Sequence, residues 1–236
     1  MLGRGSSFVQ AGITTPKPLI QVRDKFIFEW ALSAIADFDL EKDAIFIIPV
    51  EYQHQFQLDE KIRQIVGKDA VIVMSDTVPA GAAKTVLTVK DLINTDEELV
   101  IYNTDQFFHP SLKKYLATNP TDADGVIPIF QATHPKWSYV ETDDSNVVIQ
   151  TAEKQAISNK ARVGLYYFKH GKDFVWAAEQ MILKKLAVGL EYYVCPAYNE
   201  LIAAGKKVIA YSVDEMWSLG TPEDVEKFSR FYKGDL

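Results

Sequence analysis

The chain has 236 residues, 47% hydrophobic and 24% charged, an ordinary globular balance that excludes disordered and fibrous classes. At this length about 70% of the surface is buried on folding, so a core forms without staples, and one domain over residues 1–236 is expected. Lys and Arg number 25 against 32 Asp and Glu, a net charge of −7. That charge opposes nonspecific attraction to nucleic acid or an anionic membrane, so neither is an expected partner, and an anionic ligand must meet a local basic pocket. The lone Cys195 excludes an internal disulfide and a thiolate metal cage, and suits a reducing cytoplasm. No run approaches the roughly 18 apolar residues of a membrane span, and residues 1–7 lack an apolar leader core, so nothing marks the chain for export.

In chain order, the glycines of Gly3-Arg4-Gly5-Ser6-Ser7-Phe8 form the kind of turn that follows a buried strand. Only Met1 and Leu2 precede it, so the first strand is expected to be cut short or irregular. Helical periodicity over 26–38 is followed by an apolar, β-branched run at 44–50, a helix over 57–66 and a strand at 70–74. A helix over 82–93 then precedes strands at 99–103 and 125–130, with a charged, turn-rich hairpin tip at 141–146. The remainder reads as a strand at 163–168, helices over 173–186 and 198–205, a strand at 207–211 and a last helix over 222–232. Alternation of the two kinds implies an α/β fold with a mostly parallel central sheet.

Certain segments carry chemistry. Glycines leave backbone N–H groups open to a phosphate, although a Gly-x-Gly is by itself more often a plain turn. Downstream, Thr14-Thr15-Pro16-Lys17-Pro18-Leu19-Ile20 holds one lysine between two prolines. Such stiffening presents a cation at a fixed position; read blandly, it is a rigid surface loop. Asp105, in Asn103-Thr104-Asp105-Gln106, stands at the C-terminal end of a strand, the edge at which open α/β sheets bind ligands, but also a usual place for a turn or cap.

Together the glycine turn and Pro-Lys-Pro-Leu resemble the opening motif of the sugar-phosphate nucleotidyltransferases, with Lys25 and Phe28-Glu29-Trp30 similar to the family's following lysine and helix start. The likeness continues in order through Gly81-Ala82-Ala83, Asn103 to Gln106, Glu153-Lys154 with Ile157-Ser158, Val163 to Phe168, Leu190-Glu191-Tyr192 with Asn199, and Trp217 to Asp224. His134 to Tyr139 and the Glu-Lys-x-x-Ile-Ser run resemble members tied to capsule and surface-polysaccharide synthesis. The resemblance implies a Rossmann-like three-layer α/β/α fold and transfer of a nucleotidyl group from a nucleoside triphosphate to a sugar 1-phosphate or related phosphate, with pyrophosphate leaving. It implies roles for Gly3, Arg4, Gly5 and Ser6 at the triphosphate, for Lys17 and Arg4 against the charge growing in the reaction, and for Asp105 on Mg2+. By the same likeness Gly81, Ala82 and Asn103 face the nucleotide, and Glu153, Lys154, Gly164 and Glu191 surround the acceptor. A homo-oligomer is compatible with it.

Departures are also visible. Ser7 stands where many members carry a triphosphate-gripping arginine, and Ser218 where thymidylyltransferase-type members carry a second metal-binding aspartate. They motivate an alternative, a nucleotide or nucleotide-sugar binding protein with weak or lost catalysis. Glu223 and Asp224 are expected to serve the dipole of the last helix. A dehydrogenase is disfavoured because Phe8 occupies the third glycine position of that fingerprint, and no Gly-x-Ser-x-Gly elbow or clustered histidine set supports a serine hydrolase or zinc site.

Overall fold

A computed structural model describes residues 1, 5–119 and 121–234, and the chain divides into two compact units. One comprises Met1–Val78, Asn103–Ala117 and Glu215–Leu236; the other comprises Pro79–Tyr102 and Thr118–Asp214. Of the expected short first strand, Met1-Leu2, the residue Leu2 lies outside the described residues.

In the first unit, strands Ile45–Pro49 and Val71–Ser75 run parallel, in a register that pairs Ile45 with Val71 and Pro49 with Ser75. A parallel pair needs a long crossover, supplied here by the helices Val50–Phe56 and Leu58–Val66. Leu58 and Ile62 are one helical turn apart, lie on one face, and are fully buried. A second pair, Gln106–His109 with Glu215–Ser218, is antiparallel. Phe8, Val22, Ile27, Trp30, Leu219 and Phe228 form the core beside it. Trp30 meets Phe228 edge-on at 4.9 Å between centroids and donates its indole N–H to the Val22 carbonyl at 2.9 Å, so the largest apolar body in this core carries no unmet polar group. The last helix, Pro222–Phe231, starts with Thr221 accepting from the Asp224 N–H, and Pro222 occupies a first-turn position where no backbone donor is needed. At its other end Arg23 donates to the carbonyls of Ser229 and Tyr232 at 2.8 and 2.6 Å.

In the second unit a seven-stranded sheet runs in the order Leu99–Tyr102, Leu165–Phe168, Gly125–Gln131, Lys160–Arg162, Tyr139–Thr142, Val148–Ala152, with Val208–Ser212 also beside Gly125–Gln131. Only that last pairing is parallel; every other one is antiparallel. The expected mostly parallel central sheet is therefore corrected. Apolar runs report burial, not direction, and the tight turn between Tyr139–Thr142 and Val148–Ala152 is too short for a parallel crossover. That turn is the expected hairpin tip: Asp143 N donates to the Val147 carbonyl, and the Asp143 carboxylate accepts from the N–H groups of Ser145 and Val147.

Helices Gly171–Leu183 and Ala197–Ala203 cover this sheet through Phe174 and Tyr198, whose rings meet Phe168 at 5.2 and 4.5 Å. The helix expected over 82–93 is two pieces, Ala82–Leu87 and Lys90–Ile93. Thr88 turns its hydroxyl back to the Thr85 carbonyl, and Val89 leaves helical geometry. Among the described residues no helix is long and apolar enough to cross a membrane.

Candidate active site

The prolines decide where Lys17 points. Lys17–Leu19 is a single tight helical turn capped by Pro16, with the Leu19 N–H on the Pro16 carbonyl at 2.8 Å and Pro18 and Leu19 buried. From this braced backbone the Lys17 ammonium donates to Asp105 Oδ2 at 2.7 Å, across 88 positions of sequence. The two side chains are 19% and 22% exposed, so the pair is shielded yet reachable. Gly5, at φ 60, leads into the helix Ser6–Gln10, and a Cβ there would lie 3.1 Å from the Lys17 Cβ. Gly5, Lys17 and Asp105 thus lie together within one unit.

The closing turn supports Asp105 from the other side. Leu219 N donates to the Asp105 carbonyl at 2.8 Å, and a Cβ on Gly220 would touch both Asp105 Oδ2 and Ser218 Oγ at 3.4 Å. Ser218 donates its hydroxyl to Asp224 Oδ2 at 2.8 Å and accepts from Gly220 N at 3.3 Å. Asp224 therefore does more than serve the helix dipole; it holds the turn on which Asp105 rests. A hard carboxylate beside a residue without a side chain fits magnesium, which takes one or two carboxylates and completes its shell with water and phosphate oxygens. Among the described residues no three His, Cys, Asp or Glu side chains gather to hold a metal, so such an ion at Asp105 would draw its further ligands from substrate and water.

In the second unit Gly81, at φ 98, precedes Ala82 at the start of a helix. It packs so closely on Tyr192 that a Cβ would lie 2.3 Å from the Tyr192 carbonyl oxygen. Ala83 N donates to that carbonyl and Tyr192 N donates to the Ala80 carbonyl, both at 2.9 Å. Next to Tyr192, the Tyr193 hydroxyl accepts from the Lys154 ammonium at 2.7 Å and donates to Glu191 on the other side of Tyr192. The hydrogen bond from Lys154 to Tyr193 raises the lysine's pKa above the usual range, and burial raises that of Tyr193.

Glu153, buried, accepts from the Ser138 hydroxyl and lies 3.9 Å from the Arg162 guanidinium. Arg162 also donates to Ser138 Oγ at 3.0 Å and lies over the Tyr166 ring. Gly164 is buried between strands Lys160–Arg162 and Leu165–Phe168. Asn199 turns inward, bonding both backbone groups of Thr151 at 2.8 and 2.9 Å.

The nucleotidyl transferase family matches residues 3–233, almost the whole sequence. The chain belongs to this family. It is 27% identical to the nucleoside-diphosphate-sugar pyrophosphorylase of Vibrio cholerae RC9, with a TM-score of 0.82 and 97% of each chain covered. A UDP-glucose pyrophosphorylase complexed with UDP-glucose shares the fold, at 20% identity and a TM-score of 0.75 over 98% of this chain and 95% of that one. In sequence, the mannose-1-phosphate guanylyltransferase catalytic subunit beta of Drosophila pseudoobscura pseudoobscura is 23% identical over 94% of the chain, which spans 58% of that relative's length.

Within this nucleotidyl transferase, the structure brings Gly5, Lys17 and Asp105 together in one unit, and Gly81, Lys154 and Glu191 into one connected set in the other. Ser6 is exposed at its helix start, and Asn103 is half-buried in the link before Asp105. Gly3 and Arg4 lie outside the described residues. Sequence reasoning missed Tyr193 and Arg162, and took Ser138 only as part of the His134 to Tyr139 run. Neither carried a sequence signal: Tyr193 only follows Glu191 by two residues, and only the structure places Arg162, in the strand Lys160–Arg162, beside the buried Glu153.

Proposed function

We propose that this nucleotidyl transferase couples a nucleoside triphosphate to a sugar 1-phosphate or related phosphate and releases pyrophosphate. The observation that carries the reading is the Lys17–Asp105 pair: an ammonium and a carboxylate brought into contact by braced turns far apart in sequence, with Gly5 against the lysine. In this reading an acceptor phosphate oxygen attacks the α-phosphorus in line and the bond to the pyrophosphate oxygen breaks. Such a reaction needs positioning and charge stabilisation but no covalent protein intermediate. Lys17 and Arg4 offset charge on the α-phosphate and leaving group, the turn Gly3 to Ser6 offers amides to the outer phosphates, and Gly81, Ala82 and Asn103 face the nucleotide. Asp105 would hold a magnesium ion, which would supply Lewis-acid charge there when bound. Lys154 holds the acceptor phosphate, with Glu153, Gly164 and Glu191 around the rest of the acceptor.

The family match runs through both units, which supports reading residues 1–236 as one domain. Surface-polysaccharide precursors are the proposed products, on the motif at His134 to Tyr139, and the cytoplasm the proposed compartment. A nucleotide-binding protein with lost catalysis is the competing reading, favoured by Ser218 at the second-aspartate position. A pyrophosphate-release screen decides between them by crossing four nucleoside triphosphates with sugar and non-sugar phosphates in the presence of magnesium. At least one pair should turn over; triphosphate binding with no turnover of any pair would establish the competitor.

A further inference from the structure

Nothing in the family resemblance assigns Tyr193, yet it joins two residues expected at the acceptor. Its phenol has one hydrogen and one oxygen, and its neighbours leave a single arrangement. An ionised carboxylate only accepts and an ammonium only donates. The O–H must therefore point to Glu191, and the oxygen lone pairs must face Lys154, as the hydrogen bonds run. Lys154 sits at φ 55, an uncommon backbone for a lysine, and its ammonium is 4.8 Å from the Tyr193 ring centroid. Tyr193 is not loose, because Tyr192 beside it is hydrogen-bonded to the backbone of Ala80 and Ala83 and packed on Gly81.

We propose that Tyr193 is the positioning residue of the acceptor-phosphate site, holding the Lys154 ammonium in place by its hydroxyl while Glu191 sets the direction of that hydroxyl. This deepens the proposed function and rests on it for the role of Lys154. One of the ammonium's three donors goes to Tyr193, leaving two for the oxygens of a phosphate monoester. Without the hydroxyl, the long lysine side chain samples many rotamers and must be ordered by the ligand itself.

The test uses the full chain labelled with 15N-lysine and inorganic phosphate as the probe, following the Lys154 Nζ resonance, assigned by its loss in Lys154→Met. Tyr193→Phe keeps the ring and removes one oxygen; it should bind phosphate about ten-fold more weakly with an unchanged thermal midpoint. Glu191→Gln keeps an acceptor for the phenol and should weaken binding by about three-fold, which serves if Tyr193→Phe folds poorly. With an acceptor that turns over, Tyr193→Phe should raise KM for that acceptor by about ten-fold and leave kcat and KM for the triphosphate within about two-fold. Equal phosphate affinity in wild type and Tyr193→Phe, or no phosphate binding by wild type at the Lys154 resonance, would overturn the role of Tyr193. Phosphate binding of the expected pattern without pyrophosphate release from any substrate pair would instead overturn nucleotidyl transfer and leave Tyr193 as the positioning residue of an anion site.

Discussion

Gly81 and Tyr192 are in such close contact that the glycine has no room for a side chain: a Cβ would stand 2.3 Å from the tyrosine carbonyl oxygen and 2.5 Å from its nitrogen. Both obstacles are backbone, so neither swings aside as a side chain would. The contact ties the start of the helix Ala82–Leu87 to the segment that carries Glu191 and Tyr193.

Gly81→Ala should therefore be costly on two counts, the clash and the positive φ of 98. A loss of about 3 kcal/mol in urea unfolding is expected, beyond the usual cost of a point substitution. Wild-type stability in this variant would show that the Tyr192 segment is free to move.

Lys17→Ala should lower turnover by orders of magnitude and leave the fold intact. Its partner Asp105 retains some solvent exposure, so removing the lysine should cost about 1 kcal/mol or less of stability. Pyrophosphate release and a thermal melt measured on the same preparation separate the two effects; wild-type-like release refutes the role given to Lys17.

Acid should weaken the second unit at Asp124. Burial favours its neutral form, but the Lys207 backbone N–H and the Lys206 ammonium outweigh that effect and hold its pKa below the usual 3.8. A carboxylate with a lowered folded pKa adds stability above its unfolded pKa and loses it as pH falls through the folded one. Asp124→Asn should thus be less stable than wild type at pH 7, and the gap should narrow below about pH 4. Urea melts at pH 7 and pH 3 check the sign; a gap that widens in acid would contradict it.

Cys195 should resist thiol reagents in the native protein. It is fully buried, and burial pushes its pKa up to about 12, leaving little thiolate at pH 8. Labelling with an aromatic disulfide should proceed at the rate of unfolding and become immediate in denaturant. Rapid native labelling would place the thiol at the surface.

Much of the fold was legible in the residues. The apolar runs at 44–50, 70–74, 99–103, 125–130, 163–168 and 207–211 all overlap strands, and the helical patterns fall on helices, because local periodicity and burial go together. No local pattern marks strands Gln106–His109 and Glu215–Ser218; each is short and, among the described residues, paired with the other across a long distance in sequence. The family likeness, matched over residues 3–233, was legible for the same reason that the elements were: its motifs are runs of consecutive residues.

By itself, the sequence determined that the chain forms an α/β protein of this family and that a lysine is braced between two prolines ahead of a strand-end aspartate. Tertiary structure alone decided that Lys17 meets Asp105, that Ser218 and Asp224 secure the turn beneath it, and that Tyr193 joins Lys154 to Glu191. It also set the sheet of the second unit mostly antiparallel. The division has one physical cause. Backbone propensity and hydrophobic periodicity act between neighbours along the chain, whereas strand direction and hydrogen-bond partners depend on which distant surfaces the core brings face to face.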